Sequence, residues 1–275
     1  MLKQITVRGL LAALAFLALS GRAYSETKSE PKLEVGIAGV GQYLADYRGS
    51  SEYHPHALPL PIILYDGDFL KIKRTGVYGD LYSAPRWKLT LSAEGSLSSG
   101  SSSDKLRKGM PDLQSTGEVG PSLNFRLSGK DFEDGWALRL PVRAVFAVGF
   151  SGVKRVGYLA NPQFTYRNSD IWNNWHFSND IGFLYGSRAY HDYYYSVDQR
   201  YVTPERPFYR ATSGYSGWYF ESSVNKREGN WWWGAKLRYD NLSDAVFLDS
   251  PLVETKNYFA LTFVVSRFIW SSNDK

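Results

Sequence analysis

The sequence predicts an all-β fold: a single closed antiparallel transmembrane β-barrel, with twelve strands expected, preceded by a cleaved signal peptide. Three observations predict it. Apolar residues alternate with a period of two along almost the whole chain, with helical stripes absent. No stretch beyond the N-terminus is long and apolar enough for a spanning helix. Tryptophans gather at strand starts, each just after a short polar turn, as in an interfacial girdle and unlike the mid-strand core tryptophans of a β-sandwich.

The first element is the signal. A basic start (Lys3, Arg8), an apolar run from Leu10 to Leu19 and a small-residue exit at Ala23-Tyr24-Ser25 have the layout of a secretory segment. That run is about half of the ~20 residues a membrane-spanning helix needs, and Arg22 follows it closely. Residues 1–25 are therefore expected to be removed, leaving residues 26–275 as one outer-membrane barrel domain. Cleavage takes away Lys3, Arg8 and Arg22 and no acid, so the formal charge falls from +5 to +2. The remaining cations are scattered among acids, which argues against a nucleic-acid surface, and no nucleotide-cradling loop appears. With no cysteine, disulfides and cysteine-type metal sites are excluded.

Strands are expected near residues 33–44, 57–66, 69–75, 77–83, 86–96, 117–128, 136–149, 154–167, 174–188, 214–226, 231–240 and 257–270. In the seventh, Trp136, Leu138, Leu140 and Val142 share one face while Arg139 and Arg143 point the other way, suiting lipid outside and a polar lumen inside. The fifth (Trp87, Leu89, Leu91), eleventh (Trp231, Trp233, Ala235, Leu237) and twelfth (Phe259, Leu261, Phe263) repeat the pattern. Long polar connections at 45–56, 96–115, 198–213 and 241–256 alternate with short turns, provided residues 69–83 form a tight hairpin broken near Thr75-Gly76. In outer-membrane barrels the long loops lie outside the cell and the short turns in the periplasm. With the third and fourth strands so short, ten strands is the alternative. Glycines 36, 39 and 41 are spaced as curvature or close-packing positions and not as a phosphate cradle.

Little suggests catalysis, so no enzyme and no cofactor is expected. The histidines are His54, His56, His176 and His191. His54 and His56, with Asp46 and Glu52 nearby, are a weak metal signal, and no metal site is assigned. The lumen-facing candidates are Lys88, Arg126, Arg139, Arg143, Lys236 and Arg238, with Glu94 on the same kind of face. They suit either a passage for anions or a lumen knitted shut by salt bridges, and at this strand number a narrow or occluded pore is favoured. Around residues 190–215, tyrosines and arginines crowd together; Tyr193, Tyr195, Arg200, Arg206 and Tyr209 are candidates for binding an external ligand or for an outer rim that packs on itself.

Several fragments resemble the MipA/OmpV family of outer-membrane scaffolding proteins that interact with a murein-degrading enzyme. "GVGQYLADYRGSSEYHPHALPLPIILYDGDFLKI" is similar to that family's glycine-rich first strand and Leu-Pro-Leu-Pro second strand, here Leu58 to Pro61. "WWWGAKLRYDNLSDAVFLDSPLVE" resembles its penultimate strand and Asp-Ser-Pro loop, here Asp249 to Val253. The resemblance implies a non-enzymatic protein, lodged among outer-membrane lipid, that links a lytic transglycosylase to a murein synthase. The alternatives are a narrow porin-like channel for small polar or anionic solutes, or an adhesin. The chain departs from the family's usual ending, since "SRFIWSSNDK" runs five residues past Trp270. The aromatic read as the barrel-end signal is therefore Phe268 or Trp270.

Overall fold

The computed structural model describes residues 32–73, 76–96, 101, 104–149, 152–169 and 171–272. The expected signal peptide lies outside them. The described residues form twelve strands: β1 Lys32–Ala45, β2 Tyr53–Asp66, β3 Leu70–Lys73, β4 Gly76–Ser83, β5 Trp87–Ser96, β6 Ser115–Arg126, β7 Gly135–Gly149, β8 in two pieces (Gly152–Ala160 and Gln163–Asn168), β9 Trp175–Gly186, β10 Gly214–Glu228, β11 Trp231–Asn241 and β12 Asn257–Ser271. Each pairs antiparallel with its sequence neighbours, and β1 pairs with β12 from Glu34 opposite Ser271 to Leu44 opposite Ala260, so the sheet closes on itself.

Both pieces of β8 lie between β7 and β9. They part at Asn161-Pro162, where proline offers no N–H to a ladder. They therefore count as one strand. The short pair β3 and β4 is a true hairpin with its own ladder, Leu70 opposite Gly79 through Lys73 opposite Gly76. Twelve strands result, and the ten-strand alternative falls.

Side chains alternate as the period of two requires. On β7, Trp136, Leu140 and Val142 are exposed on the outer face while Ala137, Arg139, Pro141, Arg143 and Val145 are buried within. Two aromatic rings border this outer apolar belt. At the short-turn end Tyr82 stacks on Trp87 at 4.7 Å, Trp136 tilts on Tyr166 at 5.0 Å and Trp231 stacks on Trp233 at 5.9 Å. At the other end Tyr43 meets Tyr53, Tyr185 meets Tyr215 and Tyr239 meets Phe259. A barrel closed by its first and last strands, with an apolar belt between two aromatic girdles, is the form of an outer-membrane protein.

Of the three early glycines, only Gly36 shows a close approach. A Cβ there would run into the Arg267 carbonyl, beside the irregularity in the β1–β12 register, whereas Gly39 and Gly41 have room.

Among the described residues, the larger buried apolar cluster lies at the long-connection end, and a smaller one, around Val145, Val156, Leu184 and Tyr219, sits on the wall. Tyr47, Leu113, Tyr195, Val197, Ala211, Leu242, Ala245, Phe247 and Leu252, from four different connections, form one buried cluster. Part of this cap is the helix α1, Arg188–Tyr195, where the sequence suggested extended rim. Strand β9 stops at Gly186, two residues before the expected end, because Ser187 caps the helix by accepting a hydrogen bond from the Tyr190 N–H. Tyrosine is a poor helix former in isolation, but His191 and Tyr195, four apart, put one face into the cluster.

Candidate functional site

The lumen and the cap that roofs it form the candidate site. The cavity measures about 1090 Å³, and its ceiling includes Tyr190, Tyr194 and Tyr195 of the helix. Four of the sequence-derived candidates, Arg139, Arg143, Lys236 and Arg238, line it.

Cations do not line it alone. Glu94 of β5 and Glu118 of β6 are direct cross-strand partners, an arrangement that like charges oppose. Arg143 from β7 resolves it, with Nη2 2.7 Å from Glu94 and Nη1 3.5 Å from Glu118, while its Nε donates to Ser92 Oγ at 3.0 Å. A second knot sits on β10 and β11. Glu221 lies 3.3 Å from Lys236 and 3.7 Å from Arg238, and Arg238 forks onto Asp240 with Nε at 2.7 Å and Nη2 at 3.0 Å. The Arg238 guanidinium also lies 4.0 Å from the Tyr219 ring centroid. Asp240, fully buried, takes a further cation from the cap, Arg48, at 2.7 Å. Desolvated charges are tolerated only when paired this completely.

The other two lumen candidates sit near the short-turn rim, outside the cavity lining. Arg126 donates to the Pro85 carbonyl at 2.8 Å and to that of Lys130, and Lys88 lies over the Phe132 ring at 5.1 Å. The turn carrying Phe132 folds under the barrel, where its carbonyl accepts from Arg139 Nη2 at 3.2 Å and Glu133 meets Arg167 at 2.7 Å.

In the cap, Tyr195 and Arg206 are buried. Tyr195 stacks on Phe247, and its O–H donates to the Arg48 carbonyl at 2.9 Å. Arg206 donates to the carbonyls of Tyr201 and Lys108. The Tyr193 hydroxyl accepts from the Gln114 N–H at 2.8 Å. Arg200 stays exposed against the Tyr201 ring, and Tyr209 is half-buried. The Asp249–Val253 motif is the clip that holds this cap: Ser250 Oγ donates to the Tyr195 carbonyl and Tyr47 O–H to the Leu252 carbonyl, both at 2.7 Å.

His191 has the partners of a catalytic base without the access. Its Nδ1 lies 2.5 Å from the Thr212 carbonyl and its Nε2 2.5 Å from Ser216 Oγ. Both His191 and Ser216 are 0% exposed, so no substrate reaches the pair. Burial pulls the imidazole below its ordinary value, favouring the neutral form. A Cβ on Gly186 would strike this ring, which explains the glycine.

Donor atoms of Asp46, Glu52 and His54 come within 4.8 Å of one another. Glu52 already takes the Lys105 N–H at 3.2 Å and its ammonium at 3.4 Å, so the acid is neutralised internally. Reasoning from sequence missed Glu118, Glu221, Asp240 and Arg48; the signal was that the acids share the inward parity of Glu94, Arg143 and Arg238. At the other end Phe268 faces inward under the Arg227 guanidinium, 4.5 Å away, and Trp270 faces outward, 48% exposed.

No curated protein matches the chain. Among solved structures, an outer-membrane channel from Pseudomonas putida F1 aligns over 90% of this chain and 100% of its own, at 12% identity and a TM-score of 0.32. A Pseudomonas aeruginosa FadL homologue aligns over 86% and 89%, at 9% identity and a TM-score of 0.25. A family model described as MltA-interacting protein MipA matches residues 37–268, and the chain, an envelope β-barrel protein, belongs to that family.

Proposed function

We propose that this barrel is a non-enzymatic outer-membrane interaction protein that binds a murein-degrading lytic transglycosylase, and through it a murein synthase, at its short-turn rim. The observation that carries this reading is the roofed, charge-paired lumen of a family member. An interior knitted by Arg143, Glu94, Glu118, Arg238 and Asp240 under an aromatic cap is built for rigidity more than for flux. What remains for contact is the rim, where the turn at 127–134 folds inward and leaves Leu127 54% exposed, with the segment from Glu26 to Lys32 added on the sequence alone. Chemical crosslinking in intact envelopes followed by purification of this chain is expected to recover a lytic transglycosylase. Its consistent absence, with the barrel itself well recovered, would remove the reading. A channel predicts instead planar-bilayer conductance that changes on Arg139 or Arg143 substitution.

A further inference from the structure

Among the described residues, the wall is incomplete beside β2. That strand pairs with β1 along its whole length, yet among the described residues its other edge meets β3 only at Tyr65 and Asp66. From Tyr53 to Pro61, about 30 Å at ~3.3 Å per residue, no described strand borders it. Pro55, Pro59 and Pro61 fall in this stretch, opposite Tyr43, Gly39 and Ile37 in an unbroken ladder. Alternate residues of a strand direct their N–H groups to opposite edges, and proline has none. A ladder that runs through all three prolines must therefore turn those positions to the free edge, which is left poor in donors and unsuited to pairing with another strand.

Described residues frame the gap below and above. Below it β3 ends at Lys73 and β4 begins at Gly76, while β5 runs on to Ser96 beyond. Above it the connection before β6 crosses to the one after β1: Ser50 Oγ donates to Asp104 at 2.7 Å, and Lys105 meets Glu52 at 3.4 Å. With the axial route roofed by the cap, this frame is a window in the side of the lumen. It opens just below the Tyr43–Tyr53 pair of the aromatic girdle, at the level of the apolar belt.

From Ala57 to Leu64, β2 is also apolar on both faces. Gln42 lines the lumen and pairs with His56, so Leu58, Leu60 and Ile62 share its inward parity. The inward positions of β5 to β7 are instead Thr90, Ser92, Glu94, Glu118, Asn124 and Arg143. Leu58 faces inward and is still 43% exposed. Apolar surface on a wet wall is unfavourable unless something apolar covers it. Lys73 lines the cavity at the foot of the window and, among the described residues, meets no acid within ion-pair distance.

We propose that this window admits a single-chain amphiphile with an anionic head sideways from the bilayer, its acyl chain lying over Leu58, Leu60 and Ile62 and its head reaching Lys73. The Leu-Pro-Leu-Pro stretch then has one role on each count: prolines keep the edge open, and leucines line the path.

The chain has no cysteine, so single-cysteine variants of the full protein report cleanly. Leu58→Cys, Leu60→Cys, Ile37→Cys (lipid-facing) and Ala260→Cys (inward on β12) are labelled with a fluorophore, reconstituted in phosphatidylcholine bilayers and titrated with a brominated fatty acid or a brominated lysophosphatidate. Protease resistance verifies folding, and the two leucine sites report independently. Saturable quenching at Leu58 and Leu60 is expected, absent at Ala260 and linear at Ile37; whichever probe saturates identifies the head as carboxylate or phosphate. Lys73→Ala is expected to raise the half-saturating concentration about tenfold and to leave quenching by a brominated long-chain alcohol unchanged. Quenching at Leu58 and Leu60 no greater than at Ala260 would show a closed wall. Unsaturable quenching like that at Ile37 would show bilayer lapping into a gap without a bound amphiphile. Either result overturns the proposal.

Discussion

The rings of Tyr195 and Phe247 stack nearly parallel, 3.7 Å apart with 7° between their planes, and so join the helix after β9 to the connection before β12. Both are almost inaccessible, at 2% and 0% exposed. Phe247→Ala removes one ring of this stack and is expected to cost about 3 to 5 kcal/mol, as truncation of a buried phenylalanine does. The loss falls on the cap, while the barrel's own ladders remain. Tryptic cleavage at Arg200 and Arg210 should accelerate while the barrel keeps its resistance to detergent unfolding. Unchanged cleavage would mean that the stack does not hold the cap.

Asp240 ties that cap to the wall. It accepts from Arg238 on its own strand and is ion-paired with Arg48 of the first connection, both at 2.7 Å, with no exposure of its side chain. Asp240→Asn leaves two half-buried guanidinium groups short of a counter-charge and is expected to destabilise the protein by about 3 kcal/mol, the low end for a broken buried pair, because both cations keep some solvent. Arg48→Met should cost less, because Arg238 still neutralises the acid. A denaturation midpoint that falls equally for both variants would contradict this order.

The barrel was legible because its signal is local: a period of two, repeated strand after strand, places Trp136 outside and Arg139 inside without knowledge of any partner. Even the twelve-strand count rests on local turns. What sequence could not supply was register. Glu94 faces Glu118 only because β5 and β6 align so, and without that alignment the lumen looked mostly cationic. The helix was hidden for a different reason. Tyr193-Tyr194-Tyr195 favours strands by propensity, and only the tertiary cluster around Phe247, together with the Ser187 cap, turns it helical. The open edge of β2 is likewise invisible until the ladder shows where its partner stops, although the prolines at 55, 59 and 61 share one parity.

Acid is expected to loosen the cap through His191. In the unfolded chain this imidazole takes up a proton near its ordinary value of 6.5, whereas in the folded cap burial holds it lower. Above that value both states are neutral and the cap keeps its full stability. As the pH falls below it, the unfolded state binds the proton first, so stability is lost down to the folded value. Amide exchange in residues 188–212 should therefore be faster at pH 5 than at pH 7.5, after correction for intrinsic rates. His191→Phe should abolish that difference even if it weakens the cap throughout. Equal protection at both pH values would exclude a depressed titration at this site.

The two C-terminal aromatics should separate into distinct roles. One extra residue in the register between β1 and β12 sets Val35 opposite Trp270 but Gly36 opposite Phe268, with Ile269 bulged between them. As a result Phe268 points into the lumen beneath Arg227, whose guanidinium is also clamped on Glu34 at 2.7 Å and 2.9 Å, while Ile269 and Trp270 both face the lipid side. A factor that recognises the strand from outside before the barrel closes meets Trp270 and not Phe268. Trp270→Ala is therefore expected to lower the assembled fraction in the outer membrane several-fold, with the protein that does assemble close to normal in stability. Phe268→Ala removes a buried ring and a cation–π contact, so it should assemble but unfold with about 3 kcal/mol less resistance. Pulse-labelled assembly and denaturant midpoints measured on the same pair distinguish the roles, and a several-fold assembly defect confined to Phe268→Ala would reverse them.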